Sequence, residues 1–119
     1  MTTVVFYRSN GNFYGFEEDG HAGYGDEGTD IVCSAISAMT MLIVNALEDS
    51  YGADVYCDVD EETTRIVVSS KEALPEFSED ESRCFAVRGL FSAYYRQLTD
   101  MAEEYSDYLS VKISDQDFR

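Results

Sequence analysis

Apolar and polar positions change period several times along the chain. The opening run "TTVVFYRS" is β-branched and aromatic, "SNGN" supplies turn chemistry, and "FYGFEEDGHA" resumes an extended pattern. This order predicts a β-hairpin ending near His21. A glycine-rich segment follows. Next, "DIVCSAISAMTMLIVNALEDSYG" carries apolar residues at Val32, Ala35, Ile36, Met39, Leu42, Ile43, Ala46 and Leu47, the spacing of a helix. Ile31, Ala38 and Met41 widen the stripe almost all the way round, so the helix is expected against a sheet on one side and against something else, such as a second subunit, on another. Asp30 is the expected N-cap and Gly52 the expected C-cap.

The runs "ADVYCDV" and "TRIVVSS" alternate like strands around "DEET" and predict a second hairpin. "KEALPEF" holds the only proline, and Ser78 with Glu81 fits a capping box. A second helix is predicted where Val87, Phe91, Tyr94, Leu98, Met101 and Tyr105 recur at three and four residues, and "YLSVKIS" reads as a closing strand. The order is ββαββαβ: an α+β fold with one mostly antiparallel sheet and two helices, expected as a single domain over 1–119.

Composition agrees with a folded unit, since 119 residues with 45% hydrophobic side chains, nine Tyr and seven Phe are enough to build a core. No basic leader precedes an apolar run, and no stretch approaches about 18 continuous apolar residues, so the expectation is a cytoplasmic protein with no membrane partner. Eight basic against 24 acidic residues give a net charge of −16, which disfavours direct nucleic-acid binding and favours a basic protein or peptide. The three cysteines, Cys33, Cys57 and Cys84, have no C-x-x-C spacing and read as reduced thiols, at least two of them small buried hydrophobes.

Chemistry concentrates in "GHAGYGDEGTDIVC", with His21 at one end and Cys33 at the other. A thiol is nucleophilic as the thiolate, which a helix N-terminus or an imidazolium favours. With Asp30 as N-cap, Cys33 would fall in the first helical turn, whose unpaired amides also suit an oxyanion. Any Cys–His pair must use His21, the only histidine, and Gly23, Gly25 and Gly28 would make the intervening loop able to close over an extended peptide. On the residues alone, a histidine near a hairpin end is most often a surface or hydrogen-bonded residue, and a cysteine early in an apolar helix is most often core. One His and one Cys are too few ligands for zinc, "GYGDEGTD" lacks an EF-hand pattern, and no Lys-Ser/Thr follows the glycines as in a P-loop. No metal or cofactor is expected. Asp58, Asp60, Glu61 and Glu62 read as a solvated turn.

The run "GHAGYGDEGTDIVCSAIS", with "VNALEDSYGADV" and "AEEYSDYLSVKI", resembles the ribosomal-processing cysteine protease family Prp over essentially the whole chain. The resemblance implies that His21 and Cys33 form a catalytic dyad, with supporting roles for Gly20, Asp30 and Ser37. It further implies a homodimer, and a substrate that is the N-terminal extension of a basic ribosomal protein, the bacterial large-subunit protein twenty-seven, cut after a pair of phenylalanines. The acidic Asp26 and Glu27 depart from the family's loop. Two other readings are a non-catalytic assembly factor that binds a basic ribosomal protein, and a redox-sensing thiol with Cys57 or Cys84 as resolving partner.

Overall fold

The computed structural model describes residues 1–20 and 27–118, and over 27–30 the backbone alone. Strands β1 (Thr2–Ser9) and β2 (Asn12–Asp19) form the first hairpin, closed by Asn10 and Gly11 at φ 51° and 81°. Both central residues thus occupy the left-handed region that a two-residue hairpin turn requires. Helix α1 (Glu27–Asn45) runs into a π turn over Ala46–Ser50, and Gly52 at φ +60° ends it, with Ala53 N–H donating to the Leu47 carbonyl. The second hairpin is β3 (Tyr56–Asp60) and β4 (Arg65–Ser69). Short 3-10 turns at Lys71–Ala73 and Pro75–Phe77 lead to helix α2 (Glu81–Glu104), and β5 (Leu109–Asp115) closes the fold.

The element order is the ββαββαβ expected, with sheet order β3-β4-β2-β1-β5. Every pairing is antiparallel except β1 with β5, which the α2 crossover makes parallel. The helices cover one sheet face. There Val4, Phe6, Phe16, Val68 and Leu109 meet Val32, Ile36 and Ile43 of α1, Leu47 of the π turn, and Val87, Phe91, Tyr94 and Leu98 of α2. The Phe6, Phe16 and Tyr94 rings lie 5.0–5.8 Å apart, edge-on or tilted, as ring quadrupoles prefer. A bulge where the β1–β2 register shifts after Tyr7 turns Tyr14 to the opposite face, stacked on Tyr7 and edge-on to Phe118.

Three local expectations are corrected. Helix α1 begins at Glu27, so Asp30 is inside it rather than at its cap, and Cys33 sits in the second turn, where its amide belongs to the helical ladder. The amides left open by the helix start therefore lie a turn upstream of the thiol. The α2 cap is Asp80, whose carboxylate accepts from the Arg83 amide at 3.0 Å, while Ser78 bonds to the Asp80 backbone. Asp80 outcompetes the Ser78–Glu81 box because it is adjacent to the first helical residue. Of the cysteines, Cys84 alone is buried; Cys33 is half-buried and Cys57 exposed, because β3 is an edge strand with little laid over it.

The segment Ile31–Ser50 is long and apolar enough to cross a bilayer by length and composition, with mean hydropathy 1.8, although Ser34, Ser37, Thr40 and Asn45 interrupt its apolar run. In this fold it packs on the sheet, and Thr40 is buried and hydrogen-bonded.

Two glycines give opposite expectations. A Cβ at Gly15 would meet the Val68 carbonyl and Ser69 Cβ at 2.7 Å, whereas one at Gly89, inside α2, meets nothing within 4 Å. Gly15→Ala is expected to lower stability by about 1–3 kcal/mol, and Gly89→Ala to raise it by about 0.5–1 kcal/mol. Urea midpoints of the two variants check both signs.

Candidate active site

A cleft of about 640 Å³ opens between α1 and one end of the sheet. Its helical wall is Cys33, Ser34, Ile36 and Ser37; Thr2, Glu18 and Asp19 come from β1 and β2, and Val59, Asp60, Glu61, Thr64 and Ile66 from the second hairpin. Cys33 and Ser37 are four residues apart and so share one helix face. Thr2 Oγ1 lies 3.9 Å from Cys33 Sγ, a long hydroxyl–sulfur contact. This links the thiol to the start of β1.

Gly20 sits at the end of β2 with φ +77°, and a Cβ there would come within 2.8 Å of the Met1 carbonyl. Glycine is required at that point twice over, for its backbone angle and for the close chain approach. Cys33 and Ser37 are brought together at the cleft, with Gly20 at the end of the strand that supplies Glu18 and Asp19. Asp30 lies in the backbone of α1. His21 and Gly23 lie outside the described residues.

The residue that sequence reasoning missed is Glu18. It is 4% exposed, and its Oε1 accepts hydrogen bonds from Thr40 Oγ1 of α1 at 2.5 Å and Tyr94 OH of α2 at 2.9 Å. The two hydroxyls are 2.9 Å apart, and Tyr94 OH also reaches the Ile36 carbonyl at 3.4 Å. Burial pushes the Glu18 carboxyl from 4.5 up to about 7, against the pull of its two hydroxyl donors. Burial, then the neighbouring carboxylate, pushes the Tyr94 phenol far above its ordinary value. The period-two pattern Phe16, Glu18 was a visible signal, masked by the run "EED", which reads as a solvated strand end.

On the other face Glu17 takes Arg65 and the Tyr7 hydroxyl, and Arg65 holds it below the usual carboxylate range. Neighbouring carboxylates on one strand thus have opposite environments. Asp60 and Glu61, expected as part of a solvated turn, also line the cleft; Asp60 accepts from the Thr63 and Glu62 amides, which lower its pKa. Among the described residues no group of His, Cys, Asp and Glu is arranged to hold a metal ion.

Residues 1–110 match the family model described as "Cysteine protease Prp". The class of protein is therefore a cysteine protease, a peptide hydrolase of α+β architecture. A crystal structure of SMU.848 from Streptococcus mutans superposes with TM-score 0.79 at 32% identity, covering 98% of this chain and 99% of that one. Two structures of the essential ribosomal processing protease Prp from S. aureus share the fold. The complex with a substrate peptide has TM-score 0.74 at 20% identity, covering 98% of this chain and all of the other; the complex with a covalently linked product peptide has 0.74 at 22%, covering 96% and all. No curated protein matches the chain. The chain belongs to the Prp cysteine protease family.

The Glu18 environment fixes the sign of a pH effect. A carboxyl raised from 4.5 to about 7 binds its proton more tightly in the folded state, so its contribution is intact below about 4.5 and declines as pH rises through 7. The loss expected across that window is about 3 kcal/mol, from about 1.4 kcal/mol per pKa unit. Denaturant melts of wild type and Glu18→Gln between about pH 5 and 8 measure it, and the variant should lack this decline.

Proposed function

We propose that this protease removes the N-terminal extension of the bacterial large-subunit ribosomal protein twenty-seven in the cytoplasm, with Cys33 as nucleophile and His21 as base. The observation that carries the reading is the Cys33 thiol in the wall of an open cleft bordered by the edge strand β3. Such a volume suits a few residues of peptide, and a sheet edge suits an extended one. The family membership and the peptide complexes of the S. aureus protein support the same reading.

His21 removes the Cys33 proton, the thiolate adds to the carbonyl after the Phe-Phe pair, and His21 returns the proton to the leaving amine. Water, activated by the same imidazole, then hydrolyses the thioester. The net charge of −16 and the acidic rim of Asp19, Asp60 and Glu61 attract the basic body of the substrate.

We further propose a homodimer through α1. Ile31, Met41 and Leu42 are 51%, 57% and 65% exposed and fall with Ala38 on one stripe, a surface that water leaves unfavourably hydrated.

A peptide carrying the extension and its Phe-Phe pair is expected to be cut by wild type, Cys57→Ala and Cys84→Ala, and left intact by Cys33→Ala and His21→Ala. Mass spectrometry reads the cut. Wild type that binds the peptide without cutting it under reducing conditions would favour the non-catalytic assembly factor. Cleavage should also slow as salt rises, since screening shortens the attraction. Leu42→Glu is expected to shift the protein from dimer to monomer in size-exclusion chromatography with light scattering.

A further inference from the structure

We infer that Glu18 is a positioning residue of the protease: through the hydroxyls of Thr40 and Tyr94 it sets how α1, with Cys33, sits against β2, the strand that leads to His21. The inference rests on the dyad reading above. Among the described residues, the buried side chains of α1 are Val32, Ile36 and Ile43 plus a single polar one, Thr40. Apolar contacts are non-directional and tolerate small shifts of a helix, whereas hydrogen bonds impose distance and angle. The Glu18 cluster is therefore the directional lock at this interface.

The lock joins three elements, β2 through Glu18, α1 through Thr40, and α2 through Tyr94. Tyr94 is itself held by the Phe6 and Phe16 rings, so α1 is referred to the sheet core. Thr40 is two helical turns beyond Cys33, and a tilt of α1 about it displaces the thiol relative to the strand. Both hydroxyls bond to Oε1, and among the described residues Oε2 has no hydrogen bond. Glu18 also lines the cleft.

A carboxylate accepts from hydroxyls about twice as strongly as a neutral carboxyl, so the lock tightens as Glu18 ionises. Its surroundings are Cys33 on α1, Tyr94 on α2, Asp19 on its own strand, and Cys57, Asp60 and Glu61 from the second hairpin. Tyr94 and Cys57 are raised above their ordinary values and Asp60 is lowered below its own, so these three keep one charge state through neutrality. Comparing wild type with Glu18→Gln, which retains an accepting oxygen but does not titrate, isolates the Glu18 ionisation.

The test is kcat and KM for the extension peptide from about pH 6 to 8 in wild type, Glu18→Gln, Thr40→Val, Thr40→Ser and Tyr94→Phe, with folding confirmed by near-UV circular dichroism. Thr40→Val and Tyr94→Phe should lower kcat about tenfold with KM within about twofold, and Thr40→Ser should restore kcat to within about twofold of wild type. Glu18→Gln should match wild type near pH 6 and fall about threefold below it near pH 8. Folded Thr40→Val and Tyr94→Phe with wild-type kcat, a change confined to KM, or identical pH profiles for wild type and Glu18→Gln would overturn the inference. The alkylation rate of Cys33 in wild type and His21→Ala, mapped by mass spectrometry, separates the two readings. If His21→Ala alters neither alkylation nor cleavage, the dyad falls and the positioning role with it; a dyad that holds while the Glu18 profiles coincide removes the positioning role alone.

Discussion

A carboxyl occupies a strand position where the alternation of the sheet demands an apolar side chain, and the arrangement of the molecule follows from how it is accommodated. Glu18 pairs across the sheet with Val4 and Ile66 and points into the layer between sheet and helices. A buried carboxylate without donors is prohibitively costly, so each helix must bring one hydroxyl to the same oxygen. That requirement specifies a relative placement of β2, α1 and α2 that apolar packing alone leaves loose. The cost shows in the Glu18 carboxyl, raised to about 7 although both donors favour its charged form.

The same interface places the chemistry. Cys33 is on the helix edge nearest the sheet end, beside Thr2, so the thiol is presented at the cleft and not enclosed in the core. Gly20 allows β2 to leave the sheet against the Met1 carbonyl where any side chain would collide.

The two sheet faces answer the strong acidity differently. On the outer face Glu17 is neutralised by Arg65, while on the helix side Arg8, its guanidinium over the Phe13 ring, makes a bidentate pair with Asp115 at 2.7 and 2.9 Å. Around the cleft, Asp19, Asp60 and Glu61 line the opening together with Glu18 beneath them.

Periodicity alone determined the two hairpins, two helices and closing strand, because period-two and helical spacing report which residues must leave water. The Asn10–Gly11 turn and the Gly52 helix end were legible for the same local reason, a backbone angle that few residues adopt. Cys33 and Ser37, singled out in the sequence, both line the cleft. Tertiary structure decided what depends on neighbours distant in sequence. The start of α1 at Glu27 took Cys33 out of the first turn, the crossover made β5 parallel to β1, and the turn acids Asp60 and Glu61 became part of a cleft wall. Above all, Glu18 reads in sequence as one of three consecutive acids. Only the convergence of Thr40, 22 residues later, and Tyr94, 76 residues later, makes it the buried centre of the fold, because hydrogen-bond partners at such separations leave no periodic trace in a single chain.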